Sequence, residues 1–209
     1  MLAVPAGGAD AVDAVAVRAR GGVHATTLPR GRAACHRRRM LRDATAADLP
    51  AIAAITAYYV EHTAIHFGYQ PPTVAELTAA WAARDRHAWL VATDDDAAVI
   101  GYAKSDRFRA RAAYDRSAEL GVYLAPDHTG RGVGRALIAA LIARLAAADF
   151  HLAVAGIALP NPASVALFER AGFTPVGVFR EVGWKFDAWH DVGFWQRRLT
   201  PADRDTPAP

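Results

Sequence analysis

The stretch from Glu119 to Ala148 constrains this chain most. It reads E-L-G-V-Y-L-A-P-D-H-T-G-R-G-V-G-R-A-L and runs on into an alanine-rich apolar segment. Glu119 to Leu124 alternates as a short strand does, and Pro126-Asp127 marks a turn. Thr129-Gly130-Arg131-Gly132-Val133-Gly134 is a glycine-rich crossing. Leu137, Leu141 and Leu145, with Ile138 and Ile142 beside them, recur every three or four positions and predict a helix. A strand, a glycine-rich turn and a helix together aim free backbone N–H groups at an anion. The helix dipole adds about 0.3–1 kcal/mol for a charge at an exposed end. The segment is therefore expected to hold a phosphorylated ligand. A Walker loop is excluded, because no Gly-Lys-Ser/Thr follows the glycines. The spacing G-x-G-x-G also departs from the dinucleotide fingerprint, and Asp149 closes a helix rather than a second strand.

Around this stretch the pattern predicts one domain in the order βααβββαβαββ. Leu41 to Ala44 is a strand, and Thr45 or Asp48 caps a helix bearing Leu49, Ile52, Ile55 and Tyr59 on one face. Thr63 to Pro72 is a loop. Thr73 and Glu76 have capping-box spacing for a helix through Trp81. Trp89 to Thr93 and Val99 to Phe108 form a hairpin around Asp94-Asp-Asp. Ser117 to Leu124, Leu152 to Ala158, Thr174 to Val182 and Trp189 to Arg198 are strands, the last two joined by a glycine-containing turn. Asn161 to Ala171 is a helix with Gly172 past its end.

The 209 residues suffice for one full core. No apolar run approaches 18 residues, so no membrane span is expected. A single cysteine, Cys35, rules out an internal disulfide and a cysteine-rich metal site, and no histidine or aspartate grouping has metal-ligand spacing. The net charge of +3 is uneven. Residues 1–40 carry seven arginines against two aspartates, a surplus of five, so the remainder is slightly acidic and shows no nucleic-acid footprint. Residues 1–39 are read as a disordered basic leader, with Met40 a candidate initiator, and residues 200–209 as a flexible tail.

T-G-R-G-V-G-R-A-L resembles the pyrophosphate loop of the GNAT acetyltransferases, with Thr129 where that family prefers Gln or Arg. Leu159-Pro-Asn-Pro-Ala-Ser-Val-Ala-Leu-Phe-Glu-Arg-Ala-Gly-Phe173 resembles a second segment of the same family. Three further stretches are similar to the phosphinothricin and methionine sulfoximine N-acetyltransferases: Thr63-Ala-Ile-His-Phe67, Phe108 to Glu119, and Gly183 to Gln196. The likeness runs from Leu41 to Leu199. It implies an α/β acyl-CoA N-acyltransferase fold, with a central mixed, mostly antiparallel sheet flanked by helices. It also implies a cytoplasmic homodimer using acetyl-CoA to acetylate a small amino-acid-like amine.

By that resemblance, Val122, Tyr123, Leu124, Thr129, Gly130, Arg131, Gly132, Val133, Gly134 and Arg135 contact the cofactor, with Asn161 and Ser164 beside it. Glu119 is the general base. Acetyl transfer to an amine needs such a group, because only the neutral amine attacks. The carboxylate needs partial desolvation to raise its pKa. Phe67, Arg109, Arg111, Tyr114 and Tyr123 are the substrate contacts. A guanidinium fork matches a carboxylate or phosphinate, and a β segment would point Arg109 and Arg111 the same way. Tyr123 alternates with Val122, so one of the two is expected to face core and the other not. His66 borders the pocket, and His190 is structural. Phe168 stands where the phosphinothricin enzymes have histidine. It cannot donate a proton and is assigned to packing. Within the same fold, a polyamine or a protein N-terminus is the alternative acceptor. A non-catalytic acyl-CoA-binding module is the reading from another class.

Overall fold

The computed structural model describes residues 40–199, and the expected leader and tail lie outside the described residues. The elements in chain order are β1 (Met40–Asp43), α1 (Leu49–His62), α2 (Val74–Ala82), β2 (Trp89–Thr93), β3 (Val99–Arg107), β4 (Ser117–Leu124), α3 (Val133–Ala147), β5 (Leu152–Leu159), α4 (Pro162–Arg170), β6 (Thr174–Lys185) and β7 (Ala188–Arg198). The order matches the expectation, and strand ends move by one to three residues. The seven strands form one sheet in the order β1-β2-β3-β4-β5-β7-β6. Among the described residues only β4 and β5 run parallel. Among the described residues no helix is long and apolar enough to cross a membrane.

Side-chain alternation along β4 divides the molecule into two cores. Leu120, Val122 and Leu124 face one way and pack with Leu137, Ile138, Leu141 and Leu145 of α3. Tyr123 faces the other way, among Leu49, Ile52, Ile55 and Tyr59 of α1, Leu77 of α2 and Tyr102 of β3. Both Val122 and Tyr123 are buried, which corrects the expectation that only one would be. A sheet covered by helices on both faces has no solvent side at its centre. Full burial of each aliphatic side chain on α3 contributes about 1.5–3 kcal/mol. That accounts for the docking of a helix whose first turn has no side-chain cap.

The capping box expected at α2 holds, whereas Asp48 stands at the head of α1 without giving it a side-chain cap. Thr73 accepts from the Glu76 N–H at 3.2 Å, and the Glu76 carboxylate accepts from the Thr73 N–H at 2.7 Å. Asp48 accepts from the Thr45 N–H at 2.8 Å, and both of its oxygens receive the Arg42 guanidinium, at 2.6 and 2.7 Å. Phe168 is fully buried against Phe173, as expected of a packing residue.

The last hairpin departs from the expectation. No glycine lies at its turn. Lys185 pairs with Ala188, and the two residues between them, Phe186 and Asp187, take φ values of 50° and 54°. Positive φ at both central positions is the geometry whose twist suits a two-residue hairpin. Gly183 sits instead inside β6, beside a register shift between Phe179 and Gly183. Asp191 fastens that bulge, accepting from the Glu181 N–H at 2.8 Å and from Arg180 at 2.7 Å.

Candidate active site

The parallel strands stay together only briefly. Ser117, Ala118 and Glu119 pair with Leu152, Ala153 and Val154. Beyond Glu119, β4 continues with β3 alone and β5 with β7 alone. The sheet therefore forks at Glu119. Both chain segments leaving the fork enter helices, so the N-termini of α3 and α4 follow the diverging strand ends.

The loop into α3 has the backbone that its glycines predict. Gly130 and Gly132 take φ of +70° and +79°, a region that costs other L-residues about 1–2 kcal/mol. A methyl group built on either would meet nothing within 4 Å, so the loop's backbone faces open space. Gly132 caps α3 with no side-chain acceptor, which leaves first-turn N–H groups for an anion. Gly132 to Arg135 thus suit a pyrophosphate. Gly130, Arg131 and Arg135 are exposed, whereas Val133 and Gly134 are buried. Thr129 turns inward, donating from its hydroxyl to the Pro126 carbonyl at 3.1 Å. At the head of α4, Asn161 accepts from the Ser164 N–H at 3.1 Å, and both side chains are buried.

At the fork lies a cavity of about 510 Å³. Glu119 and Tyr123 of β4 line it, together with Phe67, Arg109, Lys104, Asp106, His66 and the apolar wall of Phe179, Val182, Val192 and Phe194. Arg111 and Tyr114 are not part of that lining. The chain leaves the sheet after Arg107 and turns through a short 3-10 segment at Ala112–Tyr114. Arg109 and Arg111 therefore lie outside any strand, and the shared strand expected to aim them the same way is absent. Arg111 is exposed, and Tyr114 packs edge-on against Phe108.

Charge around Glu119 is balanced. Burial raises its pKa, the Arg109 and Lys104 cations oppose that shift, and Asp106 reinforces it. No described residue gives its carboxylate a hydrogen bond. Asp106 is the cross-strand neighbour of Glu119, and the Lys104 ammonium sits 2.7 Å from the Asp106 carboxylate. The motif reading missed Lys104 and Asp106. The signal was their two-residue spacing on β3 opposite Gly121 and Glu119, which becomes meaningful only with the strand register. His66 is held neutral near and below pH 7, because burial pushes its pKa down to about 4. Lys185 of β6 is buried and donates to the carbonyls of Val60, Thr63 and His66 at 2.5, 2.9 and 2.6 Å. That ammonium ties the hairpin to the loop carrying His66 and Phe67.

Residues 52–173 match the model of the acetyltransferase (GNAT) family. The chain belongs to that family. It is similar to the phosphinothricin N-acetyltransferase of Streptomyces viridochromogenes, 39% identical over 81% of this chain and 90% of that one. It is 38% identical to an L-methionine sulfoximine/L-methionine sulfone acetyltransferase of Pseudomonas paraeruginosa, over 77% of this chain and 95% of the relative. Among solved structures, a GNAT phosphinothricin acetyltransferase of Sinorhizobium meliloti in complex with acetyl-CoA superposes with a TM-score of 0.75. The two are 36% identical over 77% of this chain and 88% of the other. As a member of the GNAT acetyltransferases, the chain is an N-acetyltransferase with the mixed, mostly antiparallel sheet expected of that fold.

Proposed function

We propose that this enzyme transfers the acetyl group of acetyl-CoA to the primary amine of a small amino-acid-like substrate, with Glu119 as the general base. One observation carries the mechanistic part. The half-buried Glu119 carboxylate stands where β4 and β5 part, between the acceptor cavity and the strand ends leading to the glycine loop. When bound, acetyl-CoA supplies a thioester acetyl group. The amides of Gly132 to Arg135 would hold its diphosphate. The strand edges left unpaired beyond Glu119 offer N–H and C=O groups to its amide-bearing arm. Glu119 takes a proton from the substrate ammonium, directly or through water, and the neutral nitrogen attacks the carbonyl carbon. The new C–N bond forms as the C–S bond breaks, and the electron pair leaves on sulfur. The raised pKa of Glu119 suits a base working near neutrality.

The names of the relatives favour phosphinothricin, methionine sulfoximine or methionine sulfone as acceptors. Arg109 fits a substrate that carries an anion besides its amine, while Lys104 is paired with Asp106 at 2.7 Å. We further propose a homodimer. Val176, Val178, Val182, Trp184 and Trp189 on β6 and β7 are exposed apolar residues at a sheet edge, suited to a second copy. A thiol-release assay with acetyl-CoA and a panel of amines tests the activity. Turnover with none of the amino-acid analogues would overturn it. Light scattering at micromolar concentration tests the dimer.

A further inference from the structure

Beside the cavity at the fork lies a second one, of about 420 Å³, between the sheet and helices α1 and α2. His66, Lys104 and Tyr123 line both cavities, which are thus adjoining compartments. Strand register explains the arrangement. Trp89, Lys104 and Gly121 form one row across β2, β3 and β4, one step along from the row of Asp106 and Glu119. Gly121 has no side chain, so the floor beside Lys104 stays open. Trp89 stands at the far end of the row and lines the second compartment.

The polar groups here are mostly donors. Trp89 is only 3% exposed, yet its indole Nε1–H has no hydrogen-bond partner among the described residues. An unmade bond at a buried donor costs about 1–3 kcal/mol, so a fold that keeps one requires an explanation. The Lys104 ammonium lies 4.9 Å from the Trp89 ring centre. The Gly68 N–H donates to His66 Nδ1 at 3.0 Å, so in the neutral ring the proton sits on Nε2, which is then a donor. Of the acceptors nearby, Asp106 holds the Lys104 ammonium at 2.7 Å, and Gln70 also lines the compartment. The Glu76 carboxylate takes the Thr73 N–H and hydroxyl, at 2.7 and 2.8 Å, and the Thr56 and Tyr102 hydroxyls bond each other at 2.7 Å.

We propose that this compartment is a subsite for the distal end of the acceptor substrate. It takes an oxygen-rich, hydrogen-bond-accepting group, such as a carboxylate, phosphinate or sulfonyl, which Trp89 Nε1–H, Lys104 and His66 receive. The proposal rests on the acetyltransferase reading and adds which part of the substrate selects it. Lys104 is one strand over and two residues along from Glu119, a separation of roughly 8 Å between backbones. An amino acid with a side chain of about four heavy atoms bridges that distance, amine toward Glu119 and side-chain oxygens toward Trp89.

Methionine sulfone and norleucine have near-equal lengths and differ in the two oxygens, so their kcat/KM ratio reads the subsite. The wild type favours methionine sulfone at least tenfold. Trp89→Phe keeps a ring and removes the donor, and Lys104→Met keeps the stem and removes the charge. Each is expected to lower the ratio at least fivefold. Calorimetric titration of methionine sulfone into the protein with saturating coenzyme A shows the same order of affinities without turnover. A ratio and an affinity unchanged in both variants would overturn the subsite, as would a wild-type preference for norleucine. If the wild type acetylates no amine, the acetyltransferase reading fails, and the titration alone still decides the subsite.

Discussion

Glu119 and Gly156 face each other across the fork. A methyl group built on Gly156 would lie 3.3 Å from Glu119 Oε1 and 3.3 Å from the Phe194 ring. Glycine at 156 thus leaves the carboxylate its place. Gly156→Ala should push Glu119 or Phe194 by a few tenths of an ångström. Misplacing a reacting group by about 1 Å can cost on the order of 10²-fold, so this smaller shift should lower kcat roughly tenfold. Steady-state kinetics check this, and a melting temperature within a few degrees of wild type separates it from unfolding.

Glu119→Gln should remove the base and lower kcat/KM by roughly 10²–10⁴-fold. The pH profile gives the sharper test. Burial raises the pKa of Glu119, so the wild-type rate falls on acidification at a pH above the ordinary carboxylate range. The variant should lose that acid limb. A profile of unchanged shape would remove Glu119 from the role.

Gly132→Ala places a side chain at φ +79° and into the space where a diphosphate would approach. Strain alone should cost about 1 kcal/mol of stability. Calorimetry should show coenzyme A affinity reduced more than that strain explains, with the KM for the amine little changed.

Lys185→Met leaves three carbonyls without their shared donor. Hydrogen bonds to a charged group contribute about 1.5–3 kcal/mol each, so a net loss of about 3 kcal/mol is expected on chemical denaturation. The loop bearing His66 and Phe67 is released with it. The acceptor KM should therefore rise while coenzyme A binding persists.

Arg42 holds the Asp48 carboxyl down at about 2, from an ordinary 3.8. Depression of an acid's pKa stabilises the fold above the unfolded value, and the gain is lost as pH falls from about 4 to about 2. Asp48→Asn should cost on the order of 1–2 kcal/mol at pH 7 and much less at pH 2. Urea melts at the two pH values check the difference.

Local chemistry made much of this legible. The Thr73–Glu76 box, the Asp94 turn and the apolar period of α3 depend on near neighbours, and each stands where the sequence predicts. The glycine loop was readable because only a few backbone shapes require glycines at 130 and 132. Register and long-range closure were not readable. Lys104 and Asp106 join the site through pairing with Gly121 and Glu119. Trp89 looks like any strand residue until α1 and α2 roof it. Phe186 and Asp187 form a turn that pattern reasoning gives to glycine, because hairpin twist overrides residue preference. Arg111 lacks its expected place because the chain leaves the sheet four residues before it.

The two faces of β4 have an evolutionary consequence. Successive residues of that strand serve opposite masters: Glu119, Gly121 and Tyr123 line the cavity at the fork, while Leu120, Val122 and Leu124 pack with α3. A one-residue slip would exchange the two sets, so this strand has almost no freedom to drift. New amine preferences should accumulate instead in the 63–67 loop and the β6–β7 hairpin, which line the cavity at the fork.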